Sequence, residues 1–136
     1  MFLIGDRMTR KVVTVKLADT LAAAAAKMKA GAFHRVPVVE ANKLVGIVSE
    51  FDLKRYADAL DSTPVEIAMT RDPITVMPSD TPQHAAALMS QHEVGALPVI
   101  HGGKLVGIVT TKDLMMPEPH PLPEWDPRTQ RKTRDE

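Results

Sequence analysis

Cysteine is absent from this 136-residue chain. Its absence removes disulfides, thiolate nucleophiles and thiolate metal sites, and suits a reducing compartment. Net charge is absent too. The 17 basic and 17 acidic side chains cancel, so no overall field draws the protein toward nucleic acid or an anionic membrane, and neither is expected as a partner. The longest apolar runs, near residues 21–26 and 105–109, fall far short of the roughly 20 residues of a membrane span. Met1-Phe2-Leu3-Ile4 is cut off by Asp6 and Arg7, too early for a secretory signal, so a cytoplasmic protein is expected. There is no glycine-rich phosphate loop, no His-Glu-x-x-His and no Ser-His-Asp set in a motif context. His34, His84, His92 and His101 lack metal-site spacing. Neither catalysis nor metal binding has candidate residues.

What the chain does contain is an internal duplication. Met8-Thr9-Arg10, Thr14-Val15 and Asp19-Thr20 recur as Met69-Thr70-Arg71, Thr75-Val76 and Asp80-Thr81, and the run from Lys43 to Val48 recurs from Lys104 to Val109, always at an offset of 61 and without a gap. Twin surfaces form clefts where they meet, so the chemistry is expected there. Each half alone is near the size at which a core becomes marginal, and the halves are expected to share one.

Within each repeat the reading is strand, helix, strand, strand, helix. Residues 14–15 and 74–76 are β-prone. Thr20 and Thr81, the latter followed by Pro82, signal the starts of helices over 21–30 and 82–92, with Gly31 as a suitable residue past the first helix end. Residues 35–39 and 44–49, and again 96–100 and 105–110, read as hairpins, the Gly102-Gly103 turn being the stronger. Residues 50–60 read as a helix and 111–115 as the start of its twin, while 61–64 form a linker leading into a short helix that ends near Met69. Three segments result: 1–60, 61–116 and a tail over 117–136. The tail is rich in proline and then in charge, cannot fold alone, and is expected to be flexible or to dock on a neighbour through Trp125. The alanines at 22–26 and 85–87 allow close helix approach, within the chain or across a dimer interface, or simply favour helix.

Several motifs coincide in the same order, twice. They are Asp6-Arg7-Met8-Thr9 and Ile67-Ala68-Met69-Thr70; Pro37-Val38 and Pro98-Val99; and Gly-Ile-Val followed by Ser49-Glu50-Phe51-Asp52 or Thr110-Thr111-Lys112-Asp113. This set resembles the CBS (cystathionine β-synthase) domain family from about residue 4 to 115. The resemblance implies an α+β fold of two β-α-β-β-α repeats packed as a pseudo-two-fold pair, a Bateman module. It also implies a regulatory sensor rather than an enzyme, one that binds an adenosine-containing ligand (AMP, ADP, ATP or S-adenosylmethionine), needs no further cofactor and pairs into homodimers. A protein partner is not identified by it.

The residue types suit such a ligand. A carboxylate accepts both hydrogen bonds of a ribose diol, and Asp52 and Asp113 are placed for that role. Ser49 and Thr110 stand at strand-to-helix junctions, where free amides and the helix dipole favour phosphate. The same Ser/Thr-x-x-Asp pattern is also a capping box, which needs no ligand. Gly46 and Gly107, inside strands, mark a bulge, a close approach or helix packing. His34-Arg35-Val36-Pro37 resembles the His-Arg-x-Pro segment with which the γ subunits of AMP-activated kinase contact phosphates; a solvated surface pair is the plainer alternative. In this family a cleft takes its strand residues from one repeat and its Ser/Thr-x-x-Asp from the other. One expected site therefore combines Thr14, His34, Arg35 and Val36 with Thr110, Lys112 and Asp113. The second combines Thr75, Ala96 and Leu97 with Ser49 and Asp52; there Glu50 repels phosphate, so this cleft is expected to stay empty or hold a less charged ligand. Val12, Val13 and Val36, or Pro73, Ile74 and Leu97, are candidate walls for the purine. The alternative function is a dimeric assembly protein with vestigial clefts.

Overall fold

The computed structural model describes residues 1–116 and, beyond them, backbone at 125–126 and 131–132. In chain order the elements are α1 (Ile4–Arg7), α2 (Leu21–Gly31), β1 (Arg35–Glu40), β2 (Lys43–Ser49), α3 (Glu50–Arg55), a 3₁₀ turn (Ala57–Ala59), α4 (Val65–Ala68), β3 (Thr70–Arg71), α5 (Pro82–His92), β4 (Ala96–His101), β5 (Lys104–Thr110), α6 (Thr111–Met115), β6 (Trp125–Asp126) and β7 (Arg131–Lys132). The protein is α+β, with small antiparallel sheets and helices packed on them.

Local chemistry accounts for most boundaries. Thr20 caps α2 by accepting the Ala23 amide at 3.1 Å, and Thr81 caps α5 by accepting that of His84 at 3.1 Å. Both hairpins close through two residues of positive φ, Ala41-Asn42 and Gly102-Gly103, the backbone that matches strand twist. Three expectations are corrected. Gly31 lies in the last turn of α2, and Ala32 takes the left-handed cap at φ 57°. The helix expected over 50–60 stops at Arg55 and continues as the 3₁₀ turn. The first strand of each repeat reduces to one parallel bridge, Val15 to Val38 and Val76 to Val99.

The chain forms two compact units, Val13–Pro73 and the pair Met1–Val12 with Ile74–Glu136. Each has its own core, in place of the expected shared one. In the first, β1-β2-β3 form the sheet, and Leu21, Met28, Val36, Val38 and Val48 bury themselves with Val65 and Met69 from the start of the second repeat. In the second, Ile4 and Met8 from the start of the first repeat are buried with Val76, Leu97, Val99 and Val109. The compact units are therefore offset from the sequence repeats. The tail reading over 117–136 lies outside the described residues, apart from the backbone pairing of β6 with β7.

The offset explains the strand glycines. A Cβ on Gly107 would lie 2.6 Å from Met8 Sδ and 2.9 Å from the Thr9 carbonyl oxygen; on Gly46 it would lie 2.5 Å from Met69 Sδ and 2.9 Å from Thr70 O. A thioether can swing aside, but the carbonyl is held by a two-way bridge between Thr9 and Ile108, at 2.8 and 2.9 Å. Gly107→Ala is therefore expected to cost roughly 1–3 kcal/mol, as overpacking does, seen as a lower thermal midpoint. An unchanged midpoint would mean that the Met8-Thr9 segment does not press on β5.

Candidate functional site

Each Gly-Ile-Val strand delivers its last residue to a helix start, and both helix starts are reciprocal capping boxes. Asp52 Oδ2 accepts the Ser49 amide at 2.8 Å and its hydroxyl at 3.1 Å, while the Asp52 amide donates to Ser49 Oγ at 3.3 Å. Asp113 Oδ2 accepts the Thr110 amide at 2.9 Å, and the Asp113 amide donates to Thr110 Oγ1 at 3.3 Å. The capping role read from the sequence is thus present at both. The expected free amides are fewer than the motif suggests. Glu50 N and Thr111 N donate to His34 O and Gly95 O, each at 2.9 Å. Among the described residues, the Phe51 and Lys112 amides at the two helix starts have no such partner.

The two carboxylates differ in their second oxygen. Asp52 is buried, and its Oδ1 takes a 3.0 Å bond from Arg55 Nη2. Asp113 is half-buried, and its Oδ1 has no hydrogen bond among the described residues. Arg7 instead reaches the end of α6, donating from Nη1 to the carbonyl oxygens of Asp113 at 3.2 Å and Met116 at 2.8 Å, with its guanidinium 4.0 Å from the Phe2 ring centre. Arg7 entered the sequence reading only within the motif Asp6-Arg7-Met8-Thr9, and Arg55 did not figure in it. The i,i+3 spacing of Asp52 and Arg55 was a usable signal for an ion pair; nothing local links Arg7 to Asp113, 106 positions away.

Thr14, His34, Arg35, Val36, Ser49 and Asp52 all belong to the unit Val13–Pro73, and Thr75, Ala96, Leu97, Thr110, Lys112 and Asp113 to the other. Register places Arg35 directly across from Ser49 and Ala96 across from Thr110. Among the described residues Arg35 has no ion pair, whereas the exposed His34 has its Nδ1 3.1 Å from Glu50 Oε1. Glu50 thus engages the histidine expected to meet phosphate. Of the candidate purine walls, Val36 and Leu97 are buried in the cores, 0% and 1% exposed. Val13 and Ile74, at matched positions, expose 38% and 39% of their surface and remain open to a flat ring.

Away from these boxes, a groove of about 540 Å³ runs between α5 and α6, lined by Ala86, Met89, Val94, Leu114 and Met115 among others. A smaller groove of about 400 Å³ lies at the matched place on α2 and α3, where Phe33, His34 and Glu50 form part of the wall. Neither is lined by Asp52 or Asp113. Among the described residues no group of three or more His, Asp or Glu side chains could hold a metal ion, and no helix is long and apolar enough to cross a membrane.

Comparison with known proteins gives a consistent result. The family model described as CBS domain matches twice, over residues 4–59 and 65–116. An inosine-5'-monophosphate dehydrogenase of Korarchaeum cryptofilum is 39% identical over 118 residues, 86% of this chain but 24% of that protein. The chain thus spans about a quarter of the length of the enzyme it matches there. Among solved structures, CBSX2 in complex with AMP aligns with a TM-score of 0.76 and 29% identity over 84% of this chain and 93% of that one. The CBS domain pair of protein MJ0100, in complex with 5'-methylthioadenosine and S-adenosyl-L-methionine, aligns with a TM-score of 0.73 and 28% identity over 82% and 95%.

Proposed function

Because the chain belongs to the CBS domain family, with two repeats in tandem, we propose that it is a regulatory sensor module for an adenine nucleotide (AMP, ADP or ATP) or for S-adenosylmethionine. It is non-catalytic and, in this reading, cytoplasmic and dimeric. The observation that carries the reading is the Asp113 carboxylate, held by its capping box with one oxygen unbonded among the described residues. A ribose diol needs an acceptor of that kind. The complexes of two similar CBS pairs with AMP and with S-adenosylmethionine support the ligand class.

In this reading Asp113 takes the ribose, Thr110 and Lys112 face the phosphate side, and Arg35 adds a cation and His34 a hydrogen-bond donor, together with Thr14. Asp52, Ser49, Thr75, Ala96 and Leu97 form the poorer set. Titration calorimetry with AMP, ADP, ATP and S-adenosylmethionine tests it, together with the rise in melting temperature that a ligand selective for the folded state must produce. The absence of both heat and a melting shift at millimolar ligand would end the proposal.

Arg35 offers a planar fork suited to phosphate. Arg35→Ala is expected to weaken ATP and ADP binding roughly tenfold or more, the worth of a charge-assisted hydrogen bond, and to leave adenosine within about twofold. Equal losses for adenosine and ATP would show that Arg35 does not read phosphate.

The apolar groove along α5 and α6 favours one second reading, a dimeric assembly protein whose clefts are vestigial. Sedimentation separates the two: a tight dimer indifferent to every adenosine compound supports assembly alone.

A further inference from the structure

Asp52 and Asp113 hold the same position in their repeats, yet their spare oxygens have different fates. Asp52 Oδ2 is used by Ser49, and Oδ1 accepts from Arg55 Nη2 at 3.0 Å; the aspartate side chain is 8% exposed and the arginine 54%. The residue matching Arg55 in the second repeat is Met116, an uncharged side chain that donates nothing to Asp113. The guanidinium at that end of α6 belongs to Arg7 and is spent on carbonyl oxygens, not on the carboxylate.

We propose that Arg55 is a positioning residue that sets how many ligands the chain binds, by occupying the Asp52 oxygen that a ribose diol would need. The inference rests on the reading of these carboxylates as diol acceptors. A diol brings two neutral donors, whereas the guanidinium on Asp52 Oδ1 adds a full opposite charge to its hydrogen bond, so at Asp52 the diol must displace an ion pair. At Asp113 no such bond has to be broken. The unequal pairing gives one ligand per chain at the Asp113 side, with the Asp52 side closed while Arg55 is in place. Glu50, beside Ser49, disfavours phosphate at the Asp52 side independently, so a phosphate-free probe isolates the effect of Arg55.

The test is calorimetric stoichiometry of the full chain with AMP and with adenosine. Wild type is expected to bind one ligand per chain, at least tenfold more weakly in Asp113→Ala. Arg55→Met, which copies the second repeat, is expected to bind two adenosines; Arg55→Met with Asp113→Ala should retain one, and Arg55→Met with Asp52→Ala should return to one. No heat from wild type with either probe would defeat the diol reading itself. A wild type that binds one ligand and an Arg55→Met that still binds one would defeat the role of Arg55 alone, as would a wild type that binds two. Should Arg55→Met fail to fold, Met116→Arg supplies the reciprocal test at an exposed position: at least tenfold weaker AMP binding is expected, and unchanged affinity overturns the inference.

Discussion

Asp113→Ala is expected to weaken AMP binding by roughly ten- to a hundredfold. One hydrogen bond to a charged group contributes about 1.5–3 kcal/mol, which corresponds to a factor of that size. The substitution also removes the Thr110 amide's acceptor, so a control must separate binding from folding. Asp113→Asn is that control. Its amide oxygen can still accept the Thr110 N–H, which keeps the helix start, while the charge that strengthens a diol contact is gone. Calorimetry is expected to show the affinity loss in both variants, and melting a drop in Asp113→Ala alone. Asp52→Ala should do the reverse: affinity within about twofold of wild type, but a lower midpoint, because Ser49 and Arg55 lose their shared partner and caps of this kind contribute about 1 kcal/mol. Wild-type affinity in Asp113→Ala would remove the acceptor on which the proposed function stands.

That contrast was half legible in the sequence. The duplication, the hairpins and the capping boxes are local patterns, and residues a few positions apart fix them; the boxes at Ser49 and Thr110 therefore formed as read. The partner of the second carboxylate oxygen follows from side-chain reach, and Arg55 was passed over as part of a longer helix that the chain ends at Tyr56. The short helix α1 carries no start signal, since Leu3 is its cap residue. Its amides are satisfied far along the chain, Ile4 N by Asp80 O at 3.0 Å and Gly5 N by Pro78 O at 2.9 Å. Such pairings cannot be seen in any window of sequence. Val36 and Leu97 illustrate a third case. Apolar character suits both a purine wall and a core, and only their position on the inner face of the sheet decides for the core.

The hidden pairing of α1 leads to the other large effect, Ile4→Ala. Ile4 has no exposed surface and is buried with Met8, Val76, Leu97 and Val109, so truncation removes buried methyl groups and leaves a cavity, at a cost of about 2–5 kcal/mol. At about 4 °C per kcal/mol for a chain of this size, the midpoint should fall by roughly 8–20 °C. Leu3→Ala, one residue earlier and 39% exposed, should cost far less, since substitutions away from a core usually stay within about 0.5 kcal/mol. Equal effects of the two would detach the first twelve residues from the core described for Ile74 onward. The unit that contains Ile4 also contains Asp113, and Arg7, the last residue of α1, ties that helix to the end of α6. A ligand held by Asp113 therefore binds the folded form of that same unit. AMP at a hundred times its dissociation constant should return about 2.7 kcal/mol of the loss, and the same AMP concentration only about 0.4–1.4 kcal/mol when Asp113→Ala is added.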